Sequence, residues 1–334
     1  CAFNAHPAPE FRGRAIHLRA AFASHPFPDA GSAPRAEDLI SAVEFSPSGD
    51  YLATGDRGGR VVLFESSEVA QRREGAMAVD PSTSTGDGDG DGSPSAAAAR
   101  EIEYRFYCEF QSHDPEFDYL KSLEIEERIN KIRWCRARTG PLFLLSTNDK
   151  TIKLWKVHEK SGRVVTSRNV DPSQPAAAQR APFLSGPSAV VMPTLQPMQP
   201  MVTATLKRTY GNGHAYHINS LSFNADGETY LSADDLRIHI WNLNTAQQAY
   251  NIADLKPADM EELSEVIMAA EFHPTDCAAL AYCSSKGVLR LADLRERALC
   301  DTKGGCRTFR PQADAEASSF FSEVVSSMTD VKFS

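Results

Sequence analysis

The chain has 334 residues, 42% of them hydrophobic, and a formal net charge of -9. That length buries a substantial core, in one large domain or two smaller ones. The acidic balance argues against a surface built to neutralise phosphate backbones, and so against nucleic-acid binding. No apolar run approaches the length that spans a bilayer, and the N-terminal segment has no compact apolar core of the signal-peptide kind, so a cytosolic or nuclear protein with no membrane partner is expected. The seven cysteines form no C-x-x-C pair, and reduced, buried thiols rather than a zinc site are expected.

In chain order, residues 1–36 mix Pro, Ala, His and Arg with neither the helical nor the strand period, and carry little information. From residue 37 to 334 one unit recurs: an apolar pair around an aromatic, a turn, an apolar strand, a polar turn, and a strand ending in an aromatic or Leu. Its copies run Ala42 to Phe64, Ile129 to Trp155, Ile218 to Trp241 and Ala269 to Leu294, each reading as three short strands. Arg60 to Phe64 and Thr151 to Trp155 alternate with period two, and Ser48-Gly49-Asp50 and Ala225-Asp226-Gly227 are turn chemistry between such strands. A blade of this kind cannot cover its own faces, so the units are expected to stack radially as an all-β propeller. The closing string Met328 to Ser334 matches the opening of a unit, and a longer propeller is expected whose further blades bear on stability.

The spacings between the aromatics Phe45, Trp134, Phe223, Phe272 and Phe333 exceed the ~40 to 45 residues of a plain blade, so each excess is an insertion. The tract from Gly75 to Ala99 is rich in Ser, Thr, Gly, Asp and Ala and reads as a disordered loop. A second insert, residues 158–214, carries the Pro- and Met-rich string VVMPTLQPMQPMV, and a third, residues 254–266, is acidic.

Longer strings are more specific than the repeat. DYLATGDRGGRVVLFE (Asp50 to Glu65), FQSHDPEFDYLKSLEIEERINKIRW (Phe110 to Trp134), HINSLSFNADGETYLSADDLRIHIW (His217 to Trp241), KPADMEELSEVI (Lys256 to Ile267) and SFFSEVVSSMTDVKFS (Ser319 to Ser334) resemble the B-type, 55-kilodalton-class regulatory subunits of protein phosphatase 2A. The resemblance covers most of the chain from about Glu37 onward. It departs at the N-terminus, at the low-complexity tract and in the C-terminal blades that this sequence does not contain. It implies a WD-repeat propeller of seven blades, the first four to five present here. Such a subunit docks on a helical-repeat scaffold subunit, faces the catalytic subunit and selects phosphoserine and phosphothreonine substrates.

Asp259 followed three residues on by Glu262, with Pro257 upstream, reads as the start of a helix through Glu265. Lys256 is the one cation against Asp254, Asp259, Glu261, Glu262 and Glu265, a density that demands solvation or a basic partner. Met260 and Leu263 would share one face of that helix. By the resemblance, Met260, Glu261, Glu262 and Leu263 join Asp234 and Asp235 in an acidic substrate groove for phosphoproteins with basic flanks. One Asp of that pair is expected to hold the turn, and Asp235 stands relative to Trp241 as Asp149 does to Trp155. Also by the resemblance, Pro193, Leu195, Pro197 and Met198 belong to an arm that grips the scaffold.

The run from Gly86 to Gly92 offers the first ligands of a calcium loop, but Ala98 stands where the bidentate Glu is required. Gly55 to Gly59 precede a strand, not a helix, and are turn residues. No nucleophile with a base and no metal spacing is legible, so no catalytic residue, metal or cofactor is expected; His214, His217, His239 and His273 read as satisfied structural residues. Two rivals remain: a generic WD-repeat adaptor of another complex, and an enzyme using the central channel of the propeller.

Overall fold

The computed structural model describes residues 16–17, 36–78, 102–119, 122–136, 140–167, 194–198, 201–296, 299, 306–310 and 327–333. The repeats form four antiparallel blades. A two-residue strand, β1 (Ile16–His17), precedes the first blade, which comprises β2 (Ile40–Phe45), β3 (Tyr51–Asp56), β4 (Arg60–Ser66) and β5 (Ile102–Gln111). β1 lies parallel on β5, so residues set aside as uninformative contribute an outer edge. A helix, α1 (Ser67–Ala78), follows β4 and takes in the first residues of the tract expected to be a disordered loop. Residues 79–99 of that tract lie outside the described residues.

A small hairpin, β6 (Glu116–Asp118) with β7 (Leu123–Ile125), leads into the second blade. That blade is β8 (Lys131–Trp134), β9 (Leu142–Thr147) and β10 (Ile152–Lys160). The arm follows as β11 (Arg163–Ser167) paired with β12 (Thr194–Pro197), and the chain returns as the blade's fourth strand, β13 (Met201–Tyr210). β10 and β13 pair from Ile152 with Tyr210 through Lys160 with Met201, so both ends of the insert expected at 158–214 are blade strand. The third blade is β14 (Ser220–Phe223), β15 (Thr229–Ala233), β16 (Arg237–Asn242) and β17 (Thr245–Asp254). The fourth is β18 (Ile267–Phe272), β19 (Ala279–Ser284), β20 (Leu289–Asp293) and β21 (Cys306–Phe309).

The cores sit at the seams between blades. Val61 and Leu63 of blade 1 pack with Ile132 and Trp134 of blade 2; Leu145 and Leu154 of blade 2 with Leu221 and Tyr230 of blade 3; Leu231 and Ile238 of blade 3 with Phe272 and Tyr282 of blade 4. One backbone bond recurs at each seam. The carbonyls of Asp56, Asp149 and Asp235 accept from the N–H groups of Ile129, Ile218 and Ile267 at 3.1, 3.1 and 2.7 Å. Each of these isoleucines is buried at the start of the next blade, a contribution of about 1.5–3 kcal/mol apiece from removal of the side chain from water. Beside β2, where the described residues place no blade, the same surface is open: Val43 of β2 is 54% exposed, against 2% for Ile132 of β8.

A second recurring contact joins the innermost strands. Ser222 Oγ accepts from Phe272 N–H at 3.0 Å, and Glu271, one blade on, accepts from Phe333 N–H at 3.1 Å and from Lys332 Nζ at 3.2 Å. His273 and Phe333 meet edge to face with ring centroids 4.9 Å apart. Residues 327–333 have no strand pairing, yet they lie against blade 4 in the register that blade 4 holds against blade 3. Glu271→Ala should therefore cost about 1 kcal/mol, the worth of a hydrogen bond to a charged group on a partly solvated surface. Hydrogen exchange should accelerate at Phe333 and leave the Ile218 amide protected.

Candidate functional site

Strand direction divides the propeller into two rims. The turns between second and third strands, and the connections from one blade to the next, lie on one rim. The connections between third and fourth strands lie on the other. The arm interrupts blade 2 between its third and fourth strands, and the acidic segment joins blade 3 to blade 4, so the two occupy opposite rims.

The acidic connection is tied at both ends to one turn. Leu255 N–H donates to the carbonyl of Leu236 at 2.8 Å, and Ile267 N–H to that of Asp235 at 2.7 Å. Between these ties the expected helix is a single 3-10 turn, Met260–Glu262, with Asp259 accepting from Glu261 N–H at 3.0 Å. Leu263 is extended, and Met260, Glu261 and Glu262 are exposed. Asp235 and the acidic segment therefore share one rim, with both ends of the segment anchored beside that Asp.

Asp234 and Asp235 have different roles. Asp234 is 0% exposed, and its Oδ1 accepts from the N–H groups of Leu236 and Arg237 at 2.8 and 2.7 Å. His214 Nδ1 lies 2.9 Å from its Oδ2 and His214 Nε2 lies 2.5 Å from Ser232 Oγ, which also accepts from Trp241 Nε1 at 2.8 Å. Burial pushes the Asp234 carboxyl up, but His214 and the two amides outweigh it and hold the group below its ordinary value. This Ser-His-Asp alignment has the contacts of a nucleophilic triad. It is sealed, however, and Ser232 already accepts the indole N–H, so it pins the blade instead of facing a cleft. Gly213 is required beside it, since a Cβ there would stand 2.4 Å from the Trp241 ring.

The expectation that Asp234 contacts substrate is thus corrected: it is the residue that holds the turn. Its counterpart in blade 2 is Asn148, whose Oδ1 accepts from the N–H groups of Lys150 and Thr151 at 3.0 and 2.8 Å. Asp235 corresponds to Asp149, which accepts from Asn130 at 2.7 Å and lies 2.8 Å from His217 Nδ1. Asp235 is half-buried, and burial with the nearby Asp234 raises its carboxyl above the ordinary value against the opposing pull of His217 and Asn219.

Two features of the site went unread in the sequence, and a third was misread. Phe117 and Tyr119 pack edge to face at 4.9 Å on the β6–β7 hairpin and are exposed on the rim that carries Asp235; the signal in PEFDYL is two aromatics on either side of Asp118. His113, in the connection from blade 1 to blade 2, is buried against blade 2, with Nδ1 3.1 Å from Ser112 Oγ and Nε2 3.2 Å from the Thr151 carbonyl. His239, expected to be satisfied, is buried with no partner for Nδ1 among the described residues. On the opposite rim Leu195 and Met198 of the arm are exposed, Pro197 ends β12, and Pro193 lies outside the described residues. Among the described residues no group of three His, Cys, Asp or Glu could hold a metal ion, and no helix is long and apolar enough to cross a membrane.

The blades, the seam contacts and the buried Ser-His-Asp-Trp network make this a WD-repeat β-propeller. The family model for the WD domain, G-beta repeat, matches residues 33–65 and 204–242. The chain is 51% identical over 297 residues to the B-type regulatory subunit of protein phosphatase PP2A from Schizosaccharomyces pombe, a match covering 89% of this chain and 57% of that protein. It is 47% identical over 297 residues to a serine/threonine-protein phosphatase 2A regulatory subunit of Caenorhabditis elegans, covering 89% and 54%. It is 45% identical over 326 residues to the beta isoform of the 55 kDa B-type regulatory subunit of serine/threonine protein phosphatase 2A from Arabidopsis thaliana, covering 91% and 62%. Over these stretches the chain is a homologue of the 55 kDa-class, B-type regulatory subunits, and it spans between half and two thirds of their length.

Burial lowers the His113 imidazole to about 3, with nearby Lys153 adding to it, and lowers that of His239 to about 4, with His214 adding to it, from 6.5. The unfolded chain therefore takes up protons that the folded one refuses, so stability should be full above pH 6.5 and fall as pH drops toward about 4. Asp234 adds a second loss below its ordinary 3.8. Thermal midpoints measured across this range should decline, and His239→Gln should flatten the decline. At neutral pH Asp234→Asn should cost about 3 kcal/mol and Asp235→Asn less than about 0.5 kcal/mol, as for a network residue against a solvated one.

Proposed function

We propose that this chain is a non-catalytic regulatory subunit of protein phosphatase 2A. On this reading it docks on the scaffold subunit through the arm and presents phosphoserine or phosphothreonine substrates to the catalytic subunit. The observation that carries the reading is the acidic rim: Asp235 beside a segment whose carboxylates at Asp259, Glu261 and Glu262 are exposed and whose ends are tied to the Asp235 turn. Clustered carboxylates attract the basic residues that flank a phosphosite and act chiefly on the rate of encounter. Met260 and Leu263 add apolar contact beside them. The names of the homologues support the phosphatase. The arm supports scaffold docking through Leu195, Pro197 and Met198, with Pro193 in the adjoining sequence, because exposed Met-rich surface adapts readily to a partner. Placement of arm and acidic rim on opposite rims lets one face assemble while the other selects. The setting proposed for this work is the cytoplasm or nucleus.

The test is capture of the purified scaffold and catalytic subunits on the immobilised chain, followed by dephosphorylation of a basic-flanked phosphopeptide. Asp235→Lys with Glu261→Lys and Glu262→Lys should leave capture unchanged and slow dephosphorylation of that peptide by about tenfold or more at low salt, with the difference shrinking as salt rises. Leu195→Asp with Met198→Asp should weaken capture. Failure of the unmodified chain to capture either subunit would overturn the reading in favour of an adaptor for a different complex.

A further inference from the structure

Glu265 stands apart from the other carboxylates of the acidic connection. Where Asp259, Glu261 and Glu262 are exposed, Glu265 is turned toward blade 4, with its Oε1 2.5 Å from Arg290 Nη2. Arg290 lies on β20, is 5% exposed, and holds its guanidinium carbon 5.6 Å from the centre of the Tyr282 ring. Its Nη1 has no hydrogen-bond partner among the described residues. Next to this pair the backbone is tied to the blade 4 turn: Ser285 N–H donates to the Val266 carbonyl at 2.9 Å, and Val266 N–H to Ser285 Oγ at 3.2 Å. The other tethers of the connection, at Leu255 and Ile267, end on blade 3. The connection is therefore clasped between two blades, and the ion pair is the side-chain half of the blade 4 clasp.

We propose that Arg290 is a positioning residue of the acidic rim: through Glu265 it holds residues 255–266 across the seam between blades 3 and 4, and so sets where Asp259, Glu261 and Glu262 stand relative to Asp235. This rests on the reading of that rim as the surface for basic-flanked phosphosubstrates. The physical reason is desolvation. A carboxylate at this depth is retained only against a cation, and without Arg290 the Glu265 side chain regains water by turning outward, drawing the connection off blade 4. Burial pushes the Glu265 carboxyl up, yet Arg290, with the Ser284 hydroxyl and Lys286 adding to it, holds it below its ordinary value.

Charge separates positioning from simple attraction. Removing Arg290 makes the rim more negative, so long-range electrostatics alone would tighten binding of a basic peptide, whereas loss of geometry weakens it. The experiment measures the Kd of a labelled phosphothreonine peptide with Arg and Lys flanks, together with amide exchange. It compares the unmodified chain, Arg290→Met, Arg290→Lys, Arg290→Glu, and the swap Arg290→Glu with Glu265→Arg. Arg290→Met should weaken binding by about tenfold and the swap should return it to within about threefold of the unmodified chain. Arg290→Lys should fall between, and exchange should rise in 256–266 while Leu144 and Leu231 stay protected.

Should Arg290→Met lose protection at Leu231 as well, the comparison of the swap with Arg290→Glu decides. Binding by Arg290→Met as tight as that of the unmodified chain, or a swap no tighter than Arg290→Glu, overturns the assignment of Arg290 alone. No binding of the peptide by the unmodified chain overturns the reading of the rim, and the positioning role with it.

Discussion

A four-stranded antiparallel sheet has two faces to cover and no means of covering either, so each blade of this chain depends on the blade beside it. The buried clusters follow that constraint: each of the three large ones draws side chains from two successive blades, and none of these is confined to the interior of one. The recurring bond from an isoleucine N–H to the carbonyl of the preceding blade's turn fixes the spacing of the seam on one rim, and the contacts of Ser222 and Glu271 fix it along the innermost strands. A connection that departs from one turn and returns to the same turn cannot wander far. That is why the acidic segment, residues 255–266, is held on the rim although little of it is buried.

The same constraint divides labour between adjacent residues. At Asp234 and Asp235 the chain passes from a strand that must pack to a turn that need not, and the side chains alternate accordingly. One carboxylate is sealed against His214 and the turn amides; its neighbour is half-buried at the rim. A sealed carboxylate with both oxygens engaged has no capacity left for a ligand. The half-buried one keeps its capacity, and burial makes it more easily protonated. Function at this turn is open to the second Asp because the first has taken the structural task.

Much of this was legible in the sequence. The recurring unit marked the first three strands of each blade, and period-two alternation in Arg60 to Phe64 and Thr151 to Trp155 marked the third strands of blades 1 and 2. The fourth strands of blades 1 and 2 were hidden because long inserts separate them from the strands they pair with, and pairing at that distance leaves no local signal. The helix expected from Asp259 shrank to one turn because the segment must close on Leu236 and Asp235, and a longer helix would carry its end away from them. Which Asp of the 234–235 pair holds the turn was left open, because the residues matched between blades were Asp149 and Asp235. Asn148 and Asp234 are different residue types that do the same capping, and a match by identity passes over them. His113 could not be read at all, since its hydroxyl neighbour Ser112 makes contacts to Ser146 and Trp155 that only the fold brings near.

What the sequence could not assign is which carboxylates of a dense acidic run are spent on structure. Composition counts Asp254, Asp259, Glu261, Glu262 and Glu265 alike, but the fold gives them different neighbours. Asp254 pairs with Arg237 at 3.0 Å, Glu265 with Arg290 at 2.5 Å, and Asp259 caps a turn while staying exposed. Two of the five are thus matched by cations of the blades on either side, and these two bracket the others in sequence. The charge left unmatched lies in the middle of the connection, away in sequence from its tethers, where the side chains are exposed and water screens it. An acidic loop arranged in this way keeps its ion pairs at its base and its exposed carboxylates between them.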